Sequence, residues 1–187
     1  MGFQFSTYSV QELSDCGSAF VTHFAHVKFP NNTRERTKTV LGWFCEVMAP
    51  GLQCYGHGQP AGHEFLVDQC HATFQLPTLA RCERWDQPCE IRLALECEWG
   101  KYRSPGETRL MVLDDAWKVA MVRAIAKAVI FPTHKGKDRQ ERDRREIVDS
   151  LQTLRMQSRD DAPWLWVDLP WIESGDYPRN IAFAILS

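Results

Sequence analysis

Two hydrophobic periods alternate along this chain, and the alternation limits its fold more than any other property of the sequence. Ser9-Val-Gln-Glu12 fits a capping box, in which the Ser hydroxyl and the Glu carboxylate each satisfy a free backbone amide. Leu13, Phe20, Phe24 and Val27 then recur at helical spacing. Pro30-Asn-Asn-Thr33 reads as a turn, with Thr33 capping a second helix from about Arg34 to Met48. Its stripe is Val40, Leu41, Phe44, Val47 and Met48, and Pro50-Gly51 ends it. Residues 51–63, rich in Gly, Pro and His, read as loop. From there the period shortens. Glu64 to Phe74 and Glu90 to Trp99 are short and rich in β-formers, separated by a polar stretch with Pro77, Asp86 and Pro88.

Lys101 to Glu107 holds a Ser-Pro-Gly turn, followed by a predicted helix over 112–123 and an apolar strand over 126–131. A helix over 137–156 carries Ile147, Val148, Leu151 and Leu154 on its inner face, and strands over 164–169 and 181–186 close the chain. The predicted order is α-α-β-β-α-β-α-β-β with no internal repeat. Helices interleaved with strands specify an α/β fold: a mixed β-sheet flanked by helices. With 187 residues, a single domain over 1–187 is expected, with leading helices over 1–50 and a C-terminal helix and strands over 133–187.

Composition excludes several classes. At 44% hydrophobic and 25% charged the chain is neither disordered nor fibrous. Lys+Arg is 22 against Asp+Glu 24, so the bulk basic footprint of many nucleic-acid binders is absent and any such binding needs a local patch. Nothing approaches 18 consecutive apolar residues, and the first fifteen residues lack a basic region followed by an apolar run, so neither a membrane span nor a signal peptide is expected. The seven cysteines (16, 45, 54, 70, 82, 89, 97) are odd in number, and Cys45 and Cys97 lie in apolar runs, which favours reduced thiols and a cytoplasmic protein. The alternative is a zinc-stabilised interaction module built from Cys54, His57, Cys70, His71, Cys82 and Cys89. The paired knuckles of structural zinc sites do not occur.

The chemistry concentrates in Ile91-Arg-Leu-Ala-Leu-Glu96-Cys-Glu98-Trp-Gly100. Strand alternation sends Ile91, Leu93, Leu95 and Cys97 one way and Arg92, Ala94, Glu96 and Glu98 the other. Two carboxylates then stand about 6–7 Å apart on one face. Like charges this close raise each other's pKa, and a divalent cation relieves the repulsion. The bland alternative is a solvated acidic edge. Asp68 adds a carboxylate within an otherwise apolar strand, where Asp is costly unless paired or ligating. If the two strands are neighbours, Asp68 and Glu96 meet and suit Mg²⁺ or Mn²⁺.

An acidic residue on one strand, Glu96-Cys-Glu98-Trp-Gly on the next, a helix containing Leu113-Asp-Asp115-Ala-Trp-Lys118 and then an apolar strand together resemble the restriction-endonuclease-like superfamily, the PD-(D/E)XK phosphodiesterases. The matching stretch is about 62–132, which the resemblance makes the catalytic core. It implies a metal-dependent nuclease acting on nucleic acid, DNA rather than RNA. Asp68 and Glu96 would be the metal ligands, and Mg²⁺ or Mn²⁺ the cofactor. The tripeptide lysine position falls on Glu98, as it does in some members, and Lys118 or Lys101 would take over the basic role of positioning the attacking water. Val67 stands where many members have Pro. A homodimer is common among nucleases that cut both strands. The other reading of the same fold is a catalytically decayed binding or regulatory module, favoured by the absent tripeptide lysine and the lack of net basic charge.

Other residues have weaker roles. Glu64 lies far along its strand, Glu12 is accounted for as a cap, and Glu46 is open. His63 and His71 flank the Asp68 strand, where a general acid or base could stand. Lys118 is matched by a bland alternative, a solvated lysine paired with Asp114, on a helix expected to bury Leu113, Trp117, Met121 and Ala124. The run 135–145 holds six basic and three acidic residues, ordinarily a solvated helix face, and with Arg103, Arg109 and Arg123 it could grip phosphates. Trp164 and Trp166 are expected to be buried rather than to form a stacking platform. No P-loop motif occurs.

Overall fold

A computed structural model describes residues 7–30, 32–48, 51–56, 66–73, 90–99, 104–133, 137–159, 161–171 and 177–187. Among them the elements are α1 (Val10–Phe24), α2 (Thr33–Met48), β1 (Gln53–Gly56), β2 (Gln69–Ala72), β3 (Ile91–Cys97), α3 (Pro105–Met121), β4 (Ala124–Phe131), α4 (Lys137–Ser158), β5 (Trp164–Asp168) and β6 (Ala182–Leu186). The strands form one six-stranded mixed sheet in sequential order β1-β2-β3-β4-β5-β6. β1, β2 and β3 pair antiparallel, β3, β4 and β5 run parallel, and β6 returns antiparallel to β5.

This topology decides the layers. The two parallel steps, β3-α3-β4 and β4-α4-β5, advance in the same direction, and right-handed crossovers then put both helices on one face of the sheet. That core holds Ala94, Val112, Ala116, Val119, Val129, Phe131, Ile147, Leu151, Trp164 and Trp166. The opposite face is left to α1 and α2, whose Leu13, Phe20, Phe24, Val40, Leu41 and Phe44 pack on Leu93, Leu95, Ala128, Ile130, Leu165 and Val167. β3, β4 and β5 are therefore covered on both sides, which is why they read as nearly continuous apolar runs. Gly17 brings α1 close to β6, since a Cβ there would collide with the Phe183 ring. The predicted capping box at Ser9 and Glu12 is present, and the tryptophans of β5 are buried as expected.

Several boundaries differ from the sequence reading. Gln53–Gly56, read as loop, is strand β1, because its place is set by backbone pairing to β2 rather than by a side-chain pattern. β2 is only Gln69–Ala72, so Asp68 stands just before the strand rather than inside it, and Glu98 lies just past the end of β3. α3 starts at Pro105, about two turns earlier than expected. Ser104 Oγ accepts from the Glu107 amide and proline occupies the first turn, so Ser-Pro-Gly-Glu is a helix start and not a turn. α3 also has a different phase. Val112, Ala116 and Val119 face the sheet, while Trp117 and Met121 are 54% and 63% exposed, because small side chains let the helix approach the sheet closely.

Cys45 and Cys54 form a disulfide that ties α2 to β1, contrary to the all-thiol expectation, while Cys16, Cys70 and Cys97 are buried thiols. Cys54 is thereby withdrawn from any zinc site. Cys70 and His71, adjacent in β2, point to opposite faces of the sheet and cannot share an ion. His57, Cys82 and Cys89 lie outside the described residues. Among those described, no helix is long and apolar enough to cross a membrane.

Candidate functional site

The site lies where β3 ends. The antiparallel register pairs Gln69 with Leu95, so one step further Asp68 stands opposite Glu96. The two carboxyl groups hydrogen-bond to each other, and the Cys97 amide donates to Asp68 Oδ2 at 3.0 Å. Gly56 of β1 makes this placement possible. It holds φ +147°, in the range that favours glycine, and a Cβ there would run into the Asp68 carbonyl. Asp68 is thus fixed by backbone on two sides, and only a glycine lets β1 pass so close behind it.

Glu96 is 3% exposed and faces α3. Burial is the main force pushing its carboxyl well above the usual range, and the neighbouring Asp68 carboxylate adds to it. Asp68 is also raised, chiefly by burial, against the lowering effect of its hydrogen bonds to Glu96 and to the Cys97 amide. Two buried carboxyl groups facing each other resist ionising together, which holds the pair above the usual carboxylate range.

Lys118 projects from α3 with Nζ 3.6 Å from Glu96 Oε1 and an ion pair to Asp115, one turn earlier. Its partner is Asp115 rather than Asp114. Burial alone would lower its pKa, but the Asp115, Glu96 and Asp68 carboxylates outweigh that and raise it. Lys118 is therefore an ammonium at neutral pH. In that form it can position a water or a phosphate oxygen as a donor.

These groups line an open cleft of about 550 Å³ whose walls are Thr33, Arg34, Thr37, Asp68, Glu96, Cys97, Glu98, Asp115 and Lys118. Asp68, Glu96, Glu98 and Lys118, all singled out from the sequence, thus come together. The half-buried Glu98 keeps to the rim, its amide continuing the pairing to β4 through Ile130 O at 3.0 Å. Sequence reasoning gave no place in the site to Asp115, whose signal is the i,i+3 spacing to Lys118, or to Arg34 and Thr37; Thr33, expected to cap α2, is its first residue, and Asn32 Oδ1 accepts from the Glu35 amide instead.

The remaining expectations fall elsewhere. His71 is fully buried against Gln69, its pKa pushed down to about 3 by desolvation, so it is a neutral core histidine. Glu12 caps α1, and the exposed Glu46 is not part of the cleft. Arg109 pairs with Glu146, and Arg144 is drawn onto the buried Asp168 with Nε 2.7 Å from Oδ2, so neither lines the cleft. Arg123 is exposed and also lies outside it. Glu64, His63, Lys101 and Arg103 lie outside the described residues.

The donor set suits a hard divalent cation. Mg²⁺ is commonly held by one or two carboxylates, with substrate phosphate and water completing its shell. Asp68 and Glu96 supply two such carboxylates, forced to share a proton that a cation would displace. Among the described residues no group of three or more His, Cys, Asp or Glu is arranged to hold a metal ion, so the pair would rely on substrate oxygens. Comparisons with protein-family models, with curated proteins and with solved structures find no match.

Proposed function

We propose that the chain is a metal-dependent nuclease that hydrolyses phosphodiester bonds of nucleic acid, DNA rather than RNA on the resemblance to the restriction-endonuclease-like superfamily. The observation that carries the reading is the juxtaposition of the Asp68 and Glu96 carboxyl groups at the floor of an open cleft, with the Lys118 ammonium beside them. Asp68 and Glu96 would hold Mg²⁺ or Mn²⁺, which supplies positive charge against the charge that develops on the phosphate. The Cys97 amide and the close passage of Gly56 hold Asp68 in place. Asp115 orients Lys118, whose ammonium donates toward the reacting phosphate or its attacking water. Glu98 adds negative charge at the rim, where it can accept a hydrogen bond from that water.

Among the described residues four carboxylates line the cleft against two cationic side chains, a balance that repels a polyanion until a divalent cation is bound. Nucleic-acid binding should therefore require the cation. The test is a cleavage panel of plasmid, linear duplex, single-stranded DNA and RNA with Mg²⁺, Mn²⁺ or EDTA. Cutting that needs the metal and is lost in Glu96→Gln supports the nuclease. A folded protein that cuts none of them with either metal overturns it. The absence of a three-ligand group among the described residues favours a second reading, a decayed nuclease fold that binds nucleic acid without cutting it. That protein would cut nothing in the panel and would still bind the same nucleic acids by fluorescence anisotropy.

A further inference from the structure

The cleft has two walls of opposite character. Its floor, on β3 and α3, is acidic, whereas the facing wall is the first turn of α2 and presents Thr33, Arg34 and Thr37. We propose that this α2 wall, with Arg34 as its principal group, grips a backbone phosphate flanking the one that is cut. The proposal rests on the nuclease reading and assigns a substrate-binding residue to the same site.

Three observations carry it. First, Arg34 is exposed and, among the described residues, makes no ion pair, although four carboxylates line the same cleft. Its neighbours are engaged: Arg36 donates to Pro30 O at 2.8 Å and lies over the Trp171 ring, and Lys38 pairs with Glu35. A guanidinium with no internal partner, facing a cleft, is disposed to receive an anionic ligand in its two-pronged geometry. Second, Thr33 lies half-buried beside it and also lines the cleft, so its hydroxyl can add to the grip. The Thr37 hydroxyl already donates to Thr33 O at 3.1 Å and contributes shape rather than a proton. Third, among the described residues the arginines nominated from the sequence are engaged or lie elsewhere: Arg144 and Arg109 are paired outside the cleft. Among the described residues Arg34 and Lys118 are the cationic groups of the cleft, and Lys118 is held by Asp115 and Glu96 on the cutting side. A strand lying across the cleft would place one phosphate at the Asp68–Glu96 floor and a neighbouring one at Arg34.

The test uses the full chain and a fluorescent DNA substrate cut in the panel, with Mn²⁺, comparing Arg34→Gln, Arg34→Lys and Arg145→Gln. Arg145 is exposed on α4 outside the cleft and controls for lost charge. Arg34→Gln should raise KM about tenfold with kcat within twofold, and should lower the slope of log affinity against log salt by about 0.7–0.9. Arg34→Lys should recover part of the loss. If Arg34→Gln changes KM no more than Arg145→Gln, the inference is wrong and the nuclease reading stands. If the wild type cuts nothing, the nuclease reading fails, and cation-dependent binding of the same oligonucleotide by fluorescence anisotropy decides the inference. Weaker binding in Arg34→Gln alone supports it, whereas equal binding in both variants, or none in the wild type, overturns it.

Discussion

Replacing Glu96 by glutamine keeps the side chain's shape, removes its charge and leaves an amide that can donate permanently to the Asp68 carboxylate. In the folded protein the Asp68–Glu96 pair retains a proton that free carboxyls lose near pH 4, because burial raises both groups and the Asp68 charge raises Glu96 further. Above that pH the folded state therefore holds about one more proton than the unfolded chain, and stability falls as pH rises, by up to about 1.4 kcal/mol per unit for one proton. The contribution is fully present below about pH 4 and is lost progressively as the pH rises toward the raised folded value. Between pH 5 and 8 the wild type should lose roughly 2–4 kcal/mol from this pair. Glu96→Gln should lose almost none of it, so the variant should be the more stable protein at pH 8, by roughly the same amount. Urea unfolding at pH 5, 6, 7 and 8 reads both, and the difference between variant and wild type cancels titrations elsewhere. Added Mn²⁺ should stabilise the wild type, by about 2.7 kcal/mol at a hundred times its dissociation constant, more readily at pH 8 than at pH 5, and should leave the variant unmoved. A variant less stable than wild type at pH 8, or a difference that does not change with pH, would refute the shared proton and with it the reason the pair suits a cation.

Two further predictions probe what positions the site and what holds the sheet. Gly56→Ala should cost about 1–3 kcal/mol and lower cleavage, since the new methyl pushes against the Asp68 carbonyl, whereas Gly51→Ala, at φ +83° in open space, should cost about 1 kcal/mol and leave activity alone; urea unfolding and initial rates separate the two. Arg144→Met strips the ion pair from Asp168, which is fully buried and otherwise held by the Thr133 hydroxyl at 2.8 Å and by Gln140, and should cost about 3–5 kcal/mol; a second change, Asp168→Asn, should return most of it in a double-mutant cycle.

What the sequence made legible and what it hid divide along a physical line. Glu96 was legible because strand alternation is local geometry: with Leu93, Leu95 and Cys97 committed to the α1/α2 core, Glu96 had to face α3. Asp68 was legible because a carboxylate among apolar residues demands a partner, and the β2–β3 register supplies Glu96. β1 was not, because its four residues owe their conformation to hydrogen bonds with β2 and to Gly56, not to their own pattern. Nor was the Cys45–Cys54 bridge, which depends on that unseen strand. The phase of α3 was misread because hydrophobicity alone puts Trp117 inward, whereas close packing on the sheet selects Ala116 and the two valines.

Arg34 was hidden most completely, and the reason bears on how such a site is built. The floor of the cleft is assembled from segments joined by sheet register, so its residues announce themselves by breaking the strand pattern. The α2 wall reaches the same cleft from the other face of the sheet, through the packing of a helix 34 residues before Asp68 in the chain. An arginine in the first turn of a helix breaks no local rule and needs no partner, because solvent satisfies it. The carboxylates proposed to hold a cation stand buried among apolar residues and are therefore conspicuous. A residue that only receives the substrate must stay exposed, and its sequence context is then that of any surface arginine. The α2 wall of this cleft is thus legible only in three dimensions, by asking which of the described charges in the cleft the fold has left without an ion pair.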